Sequence, residues 1–385
     1  MKSNVSTPVT GDDFYGRKVE LSRANRLLDG GQSFVLSAPR RIGKSSLAKR
    51  ILEQQRDKGV KTIYIDLESV ETKEEFIALL LQSLNTAGIW KKTLNLGKSV
   101  IGKLLRSIKS IGNVVLDFSE FSEWDGIYTN IADAIDFHQN VVIVIDELSL
   151  FLQYLDKNGE NDHEVKFLLN WLRGLRQKEG SNIKWILSGS IGLHNFTGMR
   201  NLSYTINDLA ILDFDAMTAE EAKGFILALS DAEGLGIADS EAEYILQELG
   251  WAVPYIIQLI INELINIKEK GGAVSQETID EAYDRIAESD YLNIWSERLL
   301  EYNGYADMAR FILRELSKSE EGMAKEDLYK GYLKAFQLKD SFRLEHEMSE
   351  VLNMLERDSY IDRAEGKRRF RSPLLRDWWK RSFLD

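Results

Sequence analysis

The segment from Gln32 to Gln55 places the tightest limit on how this chain of 385 residues can fold. It begins with a short apolar run of strand length, Phe34–Leu36, and continues through a turn that contains Pro39 and Gly43. From Lys44 onward, apolar residues recur at the spacing of one helical face. A strand, a glycine-containing turn and a helix, in that order, are typical of an alternating α/β fold with a parallel sheet.

The turn matches the pattern G-x-x-x-x-G-K-[ST] over residues 38–45, except that Ala38 replaces the first glycine. Backbone N–H groups in such a turn point at a phosphate, and the dipole of the following helix favours the anion. Gly43 allows the backbone to approach closely, Lys44 places a charge near the outer phosphates, and the Ser45 hydroxyl can bind Mg²⁺. The predicted phosphate-binding residues are Pro39, Arg40, Arg41, Ile42, Gly43, Lys44, Ser45 and Ser46.

A second segment, Asn140–Leu148, contains five consecutive β-branched residues followed by Asp146 and Glu147. A run that is apolar on both faces is typical of a central strand covered by helices on each side. We expect Asp146 to hold Mg²⁺ together with Ser45, and Glu147 to act as the base that polarises an attacking water. Two carboxylates at a strand end could instead cap the next helix. The phosphate loop upstream favours nucleotide hydrolysis over that alternative.

Three further apolar segments complete a predicted doubly wound parallel sheet with ligand at the carboxyl ends of its strands. They are Thr62–Asp66, Ile183–Ser190 and Leu209–Leu212. Ser188 and Ser190 end one of these strands where a polar group could sense a γ-phosphate, and Ser190 is our candidate. An ordinary Ser-Gly-Ser turn is the alternative. The sequence contains no N/T-K-x-D guanine-recognition motif, which favours ATP.

These motifs resemble those of the prokaryotic archaeal ATPase family, P-loop proteins close to STAND signalling ATPases and to origin-recognition AAA+ initiators. The segments that carry the resemblance are Phe14–Leu21, Pro39–Leu47, Val144–Glu147, Leu187–Ser190, Gly250–Tyr255 and Ser372–Trp379. The resemblance implies ATP and Mg²⁺ as cofactors, with Tyr15, Gly16, Arg17 and Pro254 bordering the adenine. It also implies a helical lid and a winged helix after the α/β core. The sequence departs from the family at Ala38 and at Trp251–Ala252, which replace expected glycines.

The predicted domains are a P-loop core over residues 1–212, a helical lid over 213–297 and a winged helix over 298–385. The core contains a basic insert at about 87–116, because no acidic residue occurs between Glu75 and Asp117. Apolar residues of this insert share a helical face. Two interpretations stay open: a helix that covers the sheet, or a helix that docks a partner or nucleic acid.

The formal net charge of −12 disfavours a surface that follows phosphates over its whole extent. Residues 341–358, the candidate recognition helix of the winged helix, carry five acidic and two basic side chains, a net charge of −3. Residues 361–385 carry eight basic and four acidic side chains, a net charge of +4. Contacts of this basic end with DNA are conceivable, but docking against acidic protein surface is the favoured prediction.

Composition excludes several other classes of function. The chain has no cysteine and only four histidines, without metal-ligand spacing, so disulfides, iron–sulfur clusters and zinc catalysis are not expected. No apolar run has the length of a membrane span and the first residues are polar, so we predict a cytoplasmic protein without membrane contact.

The sequence therefore predicts an ATP-hydrolysing switch that controls a partner protein, for example an effector encoded nearby, and that could form oligomers. The alternatives are an ATP-dependent DNA-binding protein of the initiator or loader type, and an adaptor that holds nucleotide with little turnover.

Overall fold

The computed structural model describes residues 2–95, 99–107, 124–158, 163–189 and 193–384. The chain forms two compact units. The sheet unit comprises Arg17–Ala38 and Lys44–Phe214. The helical unit comprises Met1–Gly16, Pro39–Gly43 and Asp215–Asp385.

The sheet unit contains a parallel sheet in the order β2-β3-β4-β1-β5. Its strands are β1 (Phe34–Ser37), β2 (Lys61–Asp66), β3 (Val141–Asp146), β4 (Ile183–Ser188) and β5 (Ala210–Asp213). Its described helices are α1 (Lys18–Asp29), α2 (Lys44–Asp57), α3 (Lys73–Ala87), α4 (Val100–Ser107), α5 (Trp124–Ala134), α6 (Leu148–Asn158), α7 (His163–Arg176) and α8 (Leu193–Met199), with a short 3₁₀ helix at Ser203–Ile206.

The strand β3 lies in the interior of the sheet, between β2 and β4, and is buried at every residue, as its uninterrupted β-branched run predicts. In the register of the sheet, Asp66 at the end of β2 lies opposite Asp146 at the end of β3. Ser188 at the end of β4 lies opposite Leu36 of β1. The parallel strands therefore direct their carboxyl ends, and the polar residues at those ends, to one edge of the sheet.

The described part of the basic insert covers the core with one helix. Ile101 and Leu104 of α4 are each 1% exposed and belong to the apolar core, and α4 packs against α3 and α5. Lys103 and Arg106 lie on its exposed side. This arrangement supports the covering-helix interpretation for α4. The predicted insert residues Lys98 and Lys109 lie outside the described residues.

The helical unit consists of helices and one small antiparallel sheet in the order β6-β8-β7. Its helices are α9 (Ala219–Glu233), α10 (Asp239–Leu249), α11 (Pro254–Glu269), α12 (Gln276–Ala287), α13 (Asn293–Glu297), α14 (Ala306–Leu316), α15 (Lys325–Ala335), α16 (Phe342–Arg357) and α17 (Pro373–Phe383), with 3₁₀ helices at Gly11–Asp13, Asp290–Leu292 and Arg298–Tyr305. Its strands are β6 (Met323–Ala324), β7 (Ile361–Ala364) and β8 (Lys367–Phe370).

The predicted fold class, a parallel α/β core followed by a mostly helical region, is confirmed. Residues 215–385 form a single compact unit together with two earlier segments. The domain borders expected at 212–213 and 297–298 stay predictions. Among the described residues, no helix combines the length and the apolar character that crossing a membrane requires.

Candidate nucleotide-binding site

The loop between β1 and α2 has the backbone conformation of an anion-binding turn. Arg41 and Gly43 have φ angles of 63° and 98°, so two left-handed residues alternate with others along the loop. Such alternation turns successive N–H groups toward one point. Ala38 precedes both left-handed residues, and its own position does not require a glycine. Of the other predicted loop residues, Pro39 and Ile42 are buried, and Arg40 and Ser46 are partly buried.

Lys44 is the first residue of α2 and folds back over the strand end that precedes the loop. Its side chain is buried, with 6% of the residue exposed, and its Nζ donates a hydrogen bond to the carbonyl of Ala38 at 3.0 Å. A buried ammonium group is stabilised by hydrogen bonds and by an anion, and a phosphate at the helix N-terminus supplies both.

Asp146 is a buried carboxylate, 1% exposed, that accepts hydrogen bonds on both oxygens. The Tyr64 hydroxyl donates to Oδ2 at 2.6 Å. The Ser188 hydroxyl donates to Oδ1 at 2.6 Å, and the backbone N–H of Glu147 donates to the same oxygen at 3.0 Å. These donors offset the desolvation of the carboxylate, and none of the partners of Asp146 among the described residues is a cation.

Tyr64 of β2 joins the two residues that the sequence predicts as metal ligands. Burial, followed by the charge of Asp146 and the hydrogen bond to it, raises the pKa of Tyr64 well above its ordinary value. A smaller effect in the opposite direction comes from a side-chain hydrogen bond with Ser45. Ser45 and Asp146 therefore meet at one phenol oxygen. From the sequence, Tyr64 is only one residue of a predicted strand, because its part in the site depends on the pairing of β2 with β3.

Glu147, the predicted base, has a left-handed backbone with φ of 55°. Its carbonyl accepts hydrogen bonds from the N–H groups of Leu150 and Phe151 at 3.1 and 3.2 Å, so it closes the first turn of α6. The left-handed conformation costs a residue other than glycine about 1–2 kcal/mol. Backbone strain of this kind clusters at functional sites, and here it falls on the residue that directly follows the buried carboxylate.

At the end of β4, Ser188 occupies the position that contacts the carboxylate. It is completely buried and bound to Asp146. Ser190, the candidate for the γ-phosphate sensor, lies outside the described residues. Between them, a Cβ added to Gly189 would lie 2.2 Å from the Ser149 hydroxyl oxygen, so the close approach of β4 to α6 requires glycine.

The predicted adenine-side residues fall in both units. In the helical unit, the Tyr15 ring packs on Phe225 of α9 with ring centres 5.4 Å apart. Gly16 has φ of 70°, and a Cβ there would lie 2.3 Å from Glu221 Oε1, so this residue also approaches α9 closely. In the sheet unit, the Arg17 guanidinium lies 5.1 Å from the centre of the Phe214 ring.

Pro254, the remaining predicted residue, begins α11. Its neighbour Tyr255 stacks under the guanidinium of Arg41 at 4.6 Å, within the helical unit. The Nε of Arg41 is buried and has no hydrogen-bond partner. A buried donor without an acceptor costs about 1–3 kcal/mol, which a ligand acceptor would offset.

The oxygen donors at the sheet edge suit Mg²⁺ better than a softer metal. Ser45 and Asp146 offer a hydroxyl and a carboxylate, and Mg²⁺ in nucleotide sites is commonly held by one or two protein oxygens together with phosphates and waters. Within the described ranges, no group of three or more His, Cys, Asp or Glu residues could form a metal site from protein ligands alone. The donor set therefore fits a metal that arrives with a phosphate ligand.

Comparisons with known proteins agree with this geometry. Residues 27–196 match the family model described as the AAA domain. A Walker-type ATPase of Pyrococcus abyssi is similar over 99% of this chain and 100% of its own, with 17% identity and a TM-score of 0.66. The ORC2 protein of Aeropyrum pernix, solved in ADPNP–ADP complexes, is similar over 99% of this chain and 98% of its own, with 12% identity and a TM-score of 0.56. No curated protein matches the chain in sequence.

These findings confirm the resemblance predicted from the motifs: residues 27–196 match the AAA domain model, and the chain is similar in fold to a Walker-type ATPase. The fold of the whole chain is also that of these nucleotide-binding proteins.

Proposed function

We propose that this chain binds ATP with Mg²⁺, hydrolyses it to ADP and phosphate, and uses the cycle to control a partner protein. The observation that carries the proposal is the meeting of Ser45 and Asp146 at one oxygen, beside the helix N-terminus that follows a loop with two left-handed residues. Oxygen ligands next to a cradle of N–H groups are what a metal-bound triphosphate requires.

Each residue has a distinct role in this proposal. Lys44 and the N–H groups of the loop hold the outer phosphates, and Ser45 and Asp146 hold the metal. Bound Mg²⁺ would neutralise charge that develops on the phosphate oxygens. Glu147 orients a water for in-line attack and accepts its proton.

The buried Nε atom of Arg41 is a second observation that supports nucleotide binding. It lacks an acceptor while the Arg41 guanidinium is held by Tyr255. A phosphate or ribose oxygen is the kind of acceptor that would satisfy it. The adenine contacts proposed for Tyr15, Gly16, Arg17 and Pro254, and the sensor role proposed for Ser190, rest on the family resemblance.

The phosphate site is tested by comparing Lys44→Ala with Lys58→Ala in ATP titrations. Lys44 begins α2, whereas Lys58 directly follows its last residue and pairs with Asp29 at 3.1 Å. We expect the Lys44 variant to lose about 10- to 100-fold in ATP affinity, as removal of a charged hydrogen-bond donor does. Lys58→Ala should bind as the wild type does. Equal affinity of all three proteins would contradict the proposal.

The base is tested by phosphate release from Glu147→Gln. The amide keeps the size of the side chain but cannot take the proton, so release should fall by about 10²- to 10⁴-fold while ATP still binds. Unchanged release would reject Glu147 as the base. A wild-type protein that retains nucleotide without multiple turnover would favour the adaptor alternative.

Control of a protein partner is favoured over DNA binding by the pairing of the basic chain end. Arg368 contacts Glu356 at 2.6 Å, Arg369 contacts Asp362 at 2.9 Å, and Arg371 contacts Asp215. Guanidinium groups that are already neutralised contribute little to phosphate binding.

An exposed apolar surface supports the same conclusion. Phe342, at the start of the proposed recognition helix α16, is 88% exposed, and Phe336 and Leu338 of the preceding turn are 49% and 44% exposed. Large apolar side chains that stay exposed in one short segment are typical of protein contacts. We expect no salt-sensitive binding of duplex DNA. Binding at low salt that falls after neutralisation of Arg368, Arg369 and Arg371 would favour the initiator-like alternative.

A further inference from the structure

The hydrogen bonds of Asp146 are unequal on its two oxygens. Oδ1 is fixed by two donors: the buried Ser188 hydroxyl and the backbone N–H of Glu147. Oδ2 is bound by the side chain of Tyr64 at 2.6 Å. The first pair sets the orientation of the carboxylate. The second contact is made by a side chain that can rotate.

The same Tyr64 hydroxyl is hydrogen-bonded to Ser45. Tyr64 donates its single hydroxyl hydrogen to Asp146, so Ser45 is the donor to the Tyr64 oxygen. Both partner oxygens therefore lie next to the phenol oxygen, which occupies the position that a cation held by both would need. Mg²⁺ binds oxygen at about 2.0–2.1 Å, closer than a hydrogen-bonded oxygen does. The hydroxyl and a cation held by both residues therefore exclude each other.

We propose that Tyr64 is a latch that occupies the metal position between Ser45 and Asp146 in the nucleotide-free protein and leaves it when Mg–ATP binds. This inference rests on the function proposed above. The latch stabilises the empty site by giving the buried carboxylate a neutral donor, and it lowers the affinity for Mg–ATP by the free energy needed to break its hydrogen bonds.

The surroundings of Tyr64 are suited to such movement. Its residue is only partly buried, whereas Ser188 and Asp146 are fully buried. The Lys49 ammonium of α2 lies 5.1 Å from the centre of its ring, so the ring is held by the helix that also carries Ser45.

The test is Tyr64→Phe, which removes the hydroxyl and keeps the ring above which Lys49 lies. Titration calorimetry would measure ATP affinity with Mg²⁺ and with a chelator, and thermal unfolding would measure the stability of the nucleotide-free protein. We expect the affinity for Mg–ATP to rise about 3- to 30-fold, the metal-free affinity to stay unchanged, and the melting temperature without nucleotide to fall. Tyr64→Leu, which also lacks the hydroxyl, should shift the metal-dependent affinity in the same direction.

The matched control is Tyr204→Phe, which removes a phenol hydroxyl bound to the Asn170 side chain at 3.2 Å in the same unit. It should leave both affinities unchanged. An unchanged or weaker Mg–ATP affinity in both Tyr64 variants would overturn the latch while the ATPase proposal stands. A weaker affinity would show instead that Tyr64 positions the metal ligands. Absence of ATP binding by the wild type would overturn the ATPase proposal and the latch together.

Discussion

Two charged regions stand out in the sequence, and the structure satisfies them in opposite ways. At the end of β3, the Asp146 carboxylate is surrounded by neutral donors, so its negative charge is stabilised but not cancelled. At the chain end, basic side chains lie directly against carboxylates of the same unit. The first region is prepared for a cation, and the second has little charge left for an anion. The sign and number of charges in a segment therefore do not decide whether it binds an ion. What decides is whether its charged side chains contact neutral hydrogen-bonding groups or groups of opposite charge.

The acids that neutralise the basic end come from many places in the helical unit. The pairs are Arg363 with Glu356, Lys367 with Glu321, Arg368 with Glu356, Arg369 with Asp362, Arg371 with Asp215, Arg376 with Glu320, and Arg381 with Asp284 and Glu288. Glu321, Glu356 and Asp215 lie outside the segment whose net charge suggested a basic patch. The pairing is therefore a property of the fold.

The largest effect on ATP turnover is expected at Asp146, whose partners among the described residues are all neutral donors. Asp146→Asn keeps an acceptor for Ser188 but removes the charge that holds the metal. Phosphate release should fall by about 10²- to 10³-fold, the range seen when one electrostatic contact to a transition state is lost. The affinity for Mg–ATP should fall, whereas ATP affinity in a chelator should not.

The control for this variant is Asp213→Asn. Asp213 also ends a strand of the sheet, but its side chain is 75% exposed and pairs with Arg23 at 3.4 Å. Phosphate release should be unchanged there. Equal losses of phosphate release in both variants would show that any carboxylate at a strand end matters. The difference between Asp146, with its neutral donors, and Asp213, with its cationic partner, would then have no effect on turnover.

A smaller effect, on stability and not on turnover, is expected at the chain end. Arg371 pairs with Asp215, donates to the Ser359 hydroxyl at 3.0 Å and lies 5.1 Å from the centre of the Trp251 ring. Arg371→Ala should lower the free energy of unfolding by about 1–3 kcal/mol, because it leaves partly buried acceptors without their donor. Urea unfolding of the purified variant measures this.

Arg343→Ala is the matched control, since Arg343 is 91% exposed and pairs along α16 with Glu347 at 2.9 Å. Exposed pairs of this kind contribute little to stability, so Arg343→Ala should leave the free energy of unfolding nearly unchanged. If Arg371→Ala were as mild as this control and instead weakened DNA binding, the chain end would be a phosphate-binding surface, as the initiator-like alternative requires.

Much of the fold could be predicted because its signals are local. The apolar runs and turn residues predict all five strands of the large sheet to within one or two residues, as at Lys61–Asp66, predicted from Thr62. Helix starts with a capping residue are equally local: Thr218 accepts a hydrogen bond from the Glu221 N–H and caps α9, and a threonine three residues before a glutamate is a sequence signature of such a cap. Such elements are specified within a few residues of sequence.

The parts of the site that could not be predicted depend on which strands are neighbours. Tyr64 reaches Asp146 because β2 pairs with β3, and no spacing in the sequence states that order. The same holds for Ser188, whose hydroxyl is placed on Asp146 by the pairing of β4 with β3. The roles assigned to Lys44, Asp146 and Glu147 stay predictions that the variants above test.

The smallest effect concerns His194 of α8, a partly buried residue whose Nε2 atom is itself buried. Burial lowers its pKa, and its Nε2 has no hydrogen-bond partner. The unfolded chain, with an ordinary histidine pKa of about 6.5, then binds a proton that the folded state resists, so stability falls as the pH drops below that value. In His194→Gln, the loss of unfolding free energy between about pH 7.5 and 5.5 should be smaller than in the wild type. His346→Gln, which changes an exposed histidine of α16, should keep the wild-type slope. If unfolding free energy changed with pH by the same amount in all three proteins, the protonated His194 imidazole would have a partner in the folded state. The contrast drawn between the two units would then not apply to this residue.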